Sequence, residues 1–211
     1  MLQYADRIFI VGQTRLPGPS PHAGWSSPRR VGAVRYVALL RGVNVGDGAR
    51  VPMKDLKALL EGLGLDDVVT YLNSGNVVFS SALETPELTR VVGDALSREF
   101  GQEIPTLIKT AAEIVSIAES IPAEWGSDQG QQTYVAYLFS DVDDPGLVSE
   151  LPVRTEFLSI FYAPGAIVWN IKRENYNRSH ITKIAGHSSY ARMTTRNVNT
   201  ARKLAAMCAE A

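Results

Sequence analysis

The chain has 211 residues, of which 45% are hydrophobic, and a formal net charge of -1 at pH 7. A chain of this length can bury a core without covalent staples, and its single cysteine, Cys208, excludes an intramolecular disulfide and a cysteine-based metal site. No apolar run approaches the roughly 20 residues of a membrane-spanning helix, so we expect a protein of the reducing cytoplasm with no membrane partner.

The first part of the chain, residues 1–33, contains many Pro, Gly and Ser residues and shows little hydrophobic periodicity. A segment of this composition buries too little apolar surface to order itself, and we predict a poorly ordered N-terminal extension. The compact apolar run from Tyr36 to Leu40 then predicts a buried strand, which ends at Arg41 and Gly42. The folded part of the protein is therefore expected to begin near residue 34.

Two helix patterns and three strand patterns follow this first strand. They predict a helix at 52–63, two hairpin strands at 68–72 and 77–79, a helix at 85–100 and a strand at 104–108. Gly64 and Gly101 lie just beyond the two helices, where glycine commonly ends a helix. The predicted order in this part of the chain is β-α-β-β-α-β.

A similar order of elements is predicted in the second part of the chain. Thr110 and Glu113 form the capping-box signature of a connecting helix, and residues 122–131 have the composition of a linker. The elements predicted beyond the linker are a strand at 134–139, a short helix at 145–151, strands at 156–162 and 167–171, and a closing helix capped by Thr194 or Thr195. We therefore predict an α+β fold with two related β-α-β-β-α-β (ferredoxin-like) halves packed together, a first half at 34–121 and a second half with its C-terminal helix at 132–211.

Basic residues are concentrated near the end of the chain. Eight Lys or Arg residues lie between Lys172 and Lys203, against one acid, Glu174. This segment is expected to attract anions, although a solvated basic face that balances the acidic middle of the chain would have the same composition. Sequence motifs must distinguish these alternatives.

The loop after the first predicted strand, from Arg41 to Gly48, is one candidate site. A glycine-containing loop between a strand and a helix can bring backbone amides close to a phosphate. The glycine spacing matches neither the dinucleotide-binding fingerprint nor the Walker loop, and an ordinary turn at Asp47 and Gly48 is the alternative. Arg41 and Asn44 are the side chains of this loop that we predict to contact a ligand.

A second candidate is the hairpin turn from Asn73 to Asn76. Glycine and asparagine favour such a turn for its backbone angles alone. If the turn is functional, Asn73, Ser74 and Asn76 form a polar rim that orients a ligand beside the first loop.

The third candidate is the predicted N-terminus of the closing helix, with Thr195, Arg196, Asn197 and Asn199. Free backbone N–H groups and the helix dipole favour anions at such a position, and an arginine there opposes the dipole and needs an acceptor. We therefore predict that Arg196 lies close to Arg41 and that an anion binds between the two side chains.

Three segments of the chain, at residues 36–46, 71–79 and 194–204, resemble the bacterial family catalogued as domain of unknown function 1697. The resemblance extends from near the start of the first predicted strand to the C-terminus. It implies a cytosolic α+β protein with two similar halves, and it implies no activity. The chain departs from the family at Val198, where the family usually has tryptophan, and at His180, where it commonly has lysine.

The leading hypothesis is that the protein binds a small phosphorylated or carboxylated ligand through these segments. The alternative is a nucleic-acid or macromolecular interaction module that uses the basic C-terminal segment. His180 and His187 lack the spacing of a helical metal site, so no metal is predicted. The identity of any cofactor, the oligomeric state and whether the protein is an enzyme stay open.

Overall fold

A computed structural model describes residues 32–46 and 48–210 of the chain. The predicted extension at 1–33 therefore lies outside the described residues except for its last two, and Asp47 lies outside them as well. The described chain forms an α+β fold with two four-stranded antiparallel sheets. None of its described helices combines the length and the hydrophobicity of a membrane span.

The first sheet has the strand order β2-β3-β1-β4, so the strand that comes first in the sequence lies inside the sheet. Its strands and the helices between them are β1 (Val34–Leu40), α1 (Met53–Gly62), β2 (Asp66–Tyr71), β3 (Asn76–Ser81), α2 (Thr85–Phe100) and β4 (Thr106–Thr110). Gly101 follows α2 with a φ of 69°, the left-handed conformation typical of a helix C-terminus. The predicted order of elements is confirmed for this part of the chain.

The second sheet has the order β6-β7-β5-β8, which is the order of the first sheet with β5 in the place of β1. The elements of this part are α3 (Ala111–Glu119), β5 (Gln131–Leu138), α4 (Leu147–Glu150), β6 (Leu158–Ala163), β7 (Ala166–Lys172), β8 (Met193–Asn197) and α5 (Val198–Ala209). Between β7 and β8, where the first sheet has α2, the chain instead forms short 3-10 turns at 173–175, 181–186 and 188–192. The second part of the chain thus departs from the predicted repeat of the first.

The burial of β1 explains the compact apolar run in its sequence. Successive side chains of a strand point to opposite faces of the sheet. Tyr36, Ala38 and Leu40 pack in the core formed with α1 and α2, whereas Val37 and Leu39 pack in a central core that also contains residues of the second sheet, α3 and α5. Both faces of β1 are therefore buried, and the strand belongs to two cores at once.

The predicted start of the closing helix is wrong. Residues 194–196 lie in β8, which pairs with β5, and α5 begins at Val198. Asn197 is the N-cap of α5, and its side-chain oxygen accepts a hydrogen bond from the Thr200 N–H at 2.8 Å. Consecutive β-branched threonines fit a pleated strand, and the strand with which they pair is distant in the sequence. The candidate residues around 196 consequently sit on a strand and not in the first turn of a helix.

Candidate functional site

The loop after β1, the turn between β2 and β3, and the start of β8 together enclose a cleft of about 260 Å³. We call it the inter-sheet cleft. Its lining residues are Leu40, Arg41, Gly42, Val43, Val45, Ser74, Tyr190, Met193, Thr194, Thr195 and Arg196. Each of the three candidate segments of the sequence contributes residues to this cleft.

Gly75 allows the turn between β2 and β3 to lie directly against β1. The Leu40 N–H donates to the Gly75 carbonyl at 2.8 Å. Gly75 has a φ of 69°, and a Cβ atom at this position would lie 2.6 Å from the Leu40 Cβ and 2.8 Å from a Val43 methyl carbon. Because neither the backbone angle nor the space admits a side chain, glycine is required here.

Arg196 of β8 forms the floor of the cleft and is only 9% exposed. Its Nε donates to Asn76 Oδ1 at 2.5 Å, its Nη1 to Thr194 Oγ1 and the Thr195 carbonyl at 2.9 Å each, and its Nη2 to the carbonyls of Leu40 and Ser74 at 2.8 and 2.9 Å. A guanidinium has five N–H groups, and these bonds use all of them. Arg196 therefore ties β8 to the first sheet and has no donor left for a ligand.

The positive charge of Arg196 has no carboxylate partner within the described residues. Burial lowers the pKa of Arg196 to about 10, which still leaves the guanidinium protonated at neutral pH. The acceptors around it are an amide, a hydroxyl and backbone carbonyls, all of which are neutral. Because a buried charge is poorly screened, the cleft beside it is electropositive.

Two hydroxyl groups of the cleft are engaged on their acceptor side. Thr194 Oγ1 accepts from Arg196, and Ser74 Oγ accepts from Asn76 Nδ2, both at 2.9 Å. Neither hydroxyl donates a hydrogen bond to another residue in the described part of the chain. A hydroxyl that already accepts a hydrogen bond offers its O–H as a donor. The cleft consequently presents donors and suits a ligand that supplies acceptors.

Arg41 differs from Arg196 because part of its guanidinium is uncommitted. Its Nε donates to the Met193 carbonyl at 3.1 Å, and its Nη2 donates to the Tyr190 carbonyl at 3.3 Å. The guanidinium also lies over the Tyr190 ring, 5.2 Å from the ring centroid. Its Nη1 has no acceptor among the residues that the structure describes. Arg41 can therefore donate to a ligand in the cleft without giving up an existing contact.

The backbone of the loop after β1 has an unusual conformation. Gly42, Asn44 and Gly46 have positive φ values of 68°, 56° and 50°. Left-handed residues next to right-handed ones form concave backbone segments that bind anions. Gly42, Val43 and Val45 line the cleft, and their N–H groups form no hydrogen bond with another residue within 32–46 and 48–210. The loop thus contains backbone N–H groups that are not committed to other described residues.

Four of the nine side chains predicted to contact a ligand line the cleft. They are Arg41, Ser74, Thr195 and Arg196. Arg41 and Arg196 both line the cleft, but only Arg41 has an N–H group without an acceptor among the described residues. The two arginines therefore have different parts in the same cleft.

The other five predicted side chains, all asparagines, lie outside the cleft. Asn44 is bonded to the backbone of its own loop and of the β2–β3 turn, and with Asn73 it lines a separate cavity of about 360 Å³. Asn76 is fully buried beside Arg196. Asn197 caps α5, and Asn199 is exposed on the first turn of that helix. Most of these amides hold the backbone in place, and this explains their positions without a ligand.

Sequence reasoning did not predict Val45, Tyr190 and Met193 as cleft residues. Arg41 contacts the carbonyls of Tyr190 and Met193, which lie 149 and 152 residues further along the chain. No local motif links positions so far apart. The one usable signal was Val45, an apolar side chain within a polar, glycine-rich loop.

A larger cavity, of about 710 Å³, lies between the 124–131 loop and residues 170–174. Arg173 in its wall is committed to the Asp128 carbonyl at 2.6 Å. The charged residues that line it carry both signs and are Glu124, Asp128, Lys172, Arg173 and Glu174. This cavity therefore favours no single charge, whereas the smaller inter-sheet cleft favours acceptors. Within residues 32–46 and 48–210, no cluster of three or more His, Cys, Asp or Glu side chains could hold a metal ion.

Comparison with known proteins supports the fold and assigns no ligand. A model of the family described as "Protein of unknown function (DUF1697)" matches residues 34–169, from the start of β1 into β7. Among solved structures, the conserved bacterial protein SP0830 from Streptococcus pneumoniae is similar, with a TM-score of 0.72 and 24% sequence identity. This similarity covers 83% of the present chain and 99% of the other. No curated protein matches the sequence.

Proposed function

Since the chain belongs to the family of proteins of unknown function DUF1697, whose description names no activity, we propose its function from geometry: it binds a small anionic ligand in the inter-sheet cleft. The ligand carries a phosphate or a carboxylate group. The surplus of donors at the cleft supports this proposal most directly. Arg41, Ser74 and Thr194 each have an N–H or O–H group without an acceptor among the described residues.

Charge and size point to the same class of ligand. Arg196 supplies a protonated guanidinium that has no described counter-ion, so an anion in the cleft gains electrostatic stabilisation without touching it. The cleft volume of about 260 Å³ lies just below the range of roughly 300 to 1,000 Å³ that is typical of small-molecule sites. The proposed ligand is therefore small.

Isothermal titration calorimetry with inorganic phosphate, sulfate and citrate tests the proposal. We expect at least one of these anions to bind the unmodified protein and Arg41→Gln to weaken that binding by about tenfold or more. The reason is the loss of a charge-assisted hydrogen bond, which contributes roughly 1.5 to 3 kcal/mol. Arg50→Gln is the matched control, because Arg50 is an exposed arginine of the same loop that lines the neighbouring cavity.

Two outcomes contradict the proposal. One is the absence of binding for every anion tested, with no rise in melting temperature at high anion concentration. The other is an equal loss of affinity in Arg41→Gln and Arg50→Gln, which would assign binding to general surface charge.

A nucleic-acid or macromolecular interaction role for the basic C-terminal segment has less support. Half of its eight basic side chains are already engaged: Arg196 is buried, Arg192 pairs with Asp141, and Arg173 and Arg202 donate to backbone carbonyls. Phosphate contacts along a nucleic acid require several free cationic groups on one face. A salt-sensitive gel shift with random oligonucleotides would favour this alternative.

We also propose that the chain consists of two ferredoxin-like halves, at 34–121 and 132–211, and that it is cytoplasmic. The equivalent strand orders of the two sheets support the first proposal. The single cysteine supports the second.

A further inference from the structure

Two exposed apolar side chains lie at the inter-sheet cleft. Val45 is 59% exposed and Tyr190 is 38% exposed, and both line the cleft. Single exposed apolar side chains are ordinary on a protein surface. These two come from segments far apart in the sequence and converge on one small cleft, which marks them as candidates for ligand contact.

Tyr190 also adjoins the charged group that we propose as the anchor. The Arg41 guanidinium lies 5.2 Å from the centroid of the Tyr190 ring and donates to the Tyr190 carbonyl at 3.3 Å. An anion bound by Arg41 therefore brings the group attached to it close to the Tyr190 ring. The cleft is amphipathic, because it combines hydrogen-bond donors with exposed apolar surface.

We infer that the ligand is an amphipathic anion in which a phosphate or carboxylate group is joined to one small apolar ring. This inference rests on the proposed function, because the anion anchors the molecule. A planar ring suits Tyr190, since aromatic pairs gain from offset or edge-to-face contact in addition to burial. The volume of about 260 Å³ is sufficient for a ligand with a single ring. Inorganic phosphate lacks the apolar contact, and a neutral aromatic molecule lacks the anchor.

Calorimetric titrations of the full chain with matched probes test this inference. The probes are inorganic phosphate, phenyl phosphate, acetate, benzoate and neutral benzyl alcohol. We expect phenyl phosphate to bind about tenfold tighter than inorganic phosphate, because part of an aromatic ring is buried. The ratio of the benzoate affinity to the acetate affinity shows whether the same preference holds for a carboxylate. Benzyl alcohol is expected not to bind.

Variants of Val45 and Tyr190 test whether the preference for phenyl phosphate arises in the inter-sheet cleft. Tyr190→Ala and Val45→Ser are each expected to reduce the ratio of the phenyl phosphate affinity to the inorganic phosphate affinity at least threefold. Tyr176→Ala is the matched control, because Tyr176 is 39% exposed in the same connection between β7 and β8 and does not line the cleft. A variant that weakens both phosphates equally leaves this ratio unchanged, so the ratio separates loss of the apolar contact from a general loss of anion binding.

The outcomes separate this inference from the proposed function. Equal affinities for inorganic phosphate and phenyl phosphate overturn the inference and leave anion binding intact. The absence of binding for every anionic probe overturns both. A Val45→Ser protein that keeps the full preference for phenyl phosphate overturns the assignment of the apolar contact to this cleft.

Discussion

The floor and the rim of the inter-sheet cleft each contain an arginine, and the two arginines differ in the hydrogen bonds they already make. The floor is Arg196, which is backed by Gly75 and Asn76 outside the cleft lining, and the rim consists of Arg41, Val45 and Tyr190. Arg196 is buried with all five N–H groups bonded, whereas Arg41 is half-buried and bonded through two atoms. The hydrogen bonds that a polar side chain already makes therefore distinguish a structural residue from a ligand-binding one better than the residue type does. The comparison predicts that floor substitutions reduce stability and that rim substitutions reduce binding.

Replacement of Arg196 is expected to have the largest effect on stability. Arg196→Met leaves several buried acceptors without donors, among them the Leu40 and Ser74 carbonyls. We expect the free energy of unfolding to fall by about 3 to 5 kcal/mol in urea denaturation. Arg41→Met is the control at the rim and is expected to lower it by less than about 1 kcal/mol. Equal losses in the two variants would break the comparison.

Alanine substitutions at two glycines distinguish the cost of steric crowding beneath the cleft from the cost of backbone strain. Gly75 and Gly101 both have a φ of 69°, but of the two only Gly75 has neighbouring atoms within 4 Å of the position that an alanine Cβ would occupy. Alanine in the left-handed region is expected to lower stability by about 1 to 2 kcal/mol at either position. Crowding against Leu40 is expected to add about 1 to 3 kcal/mol at Gly75. Chemical denaturation of Gly75→Ala and Gly101→Ala measures the difference in the free energy of unfolding. Equal losses in the two variants would contradict the prediction.

Adjacent threonines of β8 provide the smallest and most local test. Thr194 is buried and its hydroxyl accepts from Arg196, whereas Thr195 is exposed. Thr194→Val is expected to lower the free energy of unfolding by about 1 kcal/mol, because it removes one acceptor from a buried guanidinium. Thr195→Val keeps its backbone carbonyl and is expected to change stability by less than about 0.5 kcal/mol. A larger loss of unfolding free energy for Thr195→Val than for Thr194→Val would contradict the assignment of Thr194 as a partner of the buried Arg196.

Elements with strong local signals were predictable from the sequence. The apolar run at β1 and the glycine after α2 gave correct elements, because both depend on residues that are close in the chain. The capping box is also confirmed, since the Thr110 N–H donates to Glu113 at 2.8 Å and the Glu113 N–H donates to Thr110 Oγ1 at 3.3 Å. Local hydrogen bonds of this kind need no knowledge of the tertiary fold.

The strand β8 and the inner part of the cleft were not predictable in this way. Thr194 and Thr195 carry a helix-capping signal as well as a strand preference, and pairing with β5 decided between them. Arg196 was predicted to need an acceptor, but the five hydrogen bonds that use all its N–H groups depend on acceptors such as the Leu40 carbonyl and Asn76. A sequence indicates that an arginine needs partners, and only the fold shows which partners it has.

The long separations in the sequence around Arg196 have a consequence for folding. Its contacts with Asn76, Ser74 and Leu40 span 120, 122 and 156 residues. A contact between residues so distant in the sequence closes a long loop and costs conformational entropy. These contacts are therefore expected to form after the local helices and hairpins. During synthesis, the first sheet leaves the ribosome well before β8 does, and until then the ends of β1 and the β2–β3 turn have carbonyl groups without their final donor. The cleft is therefore expected to be among the last parts of the chain to assemble and a late reporter of correct folding.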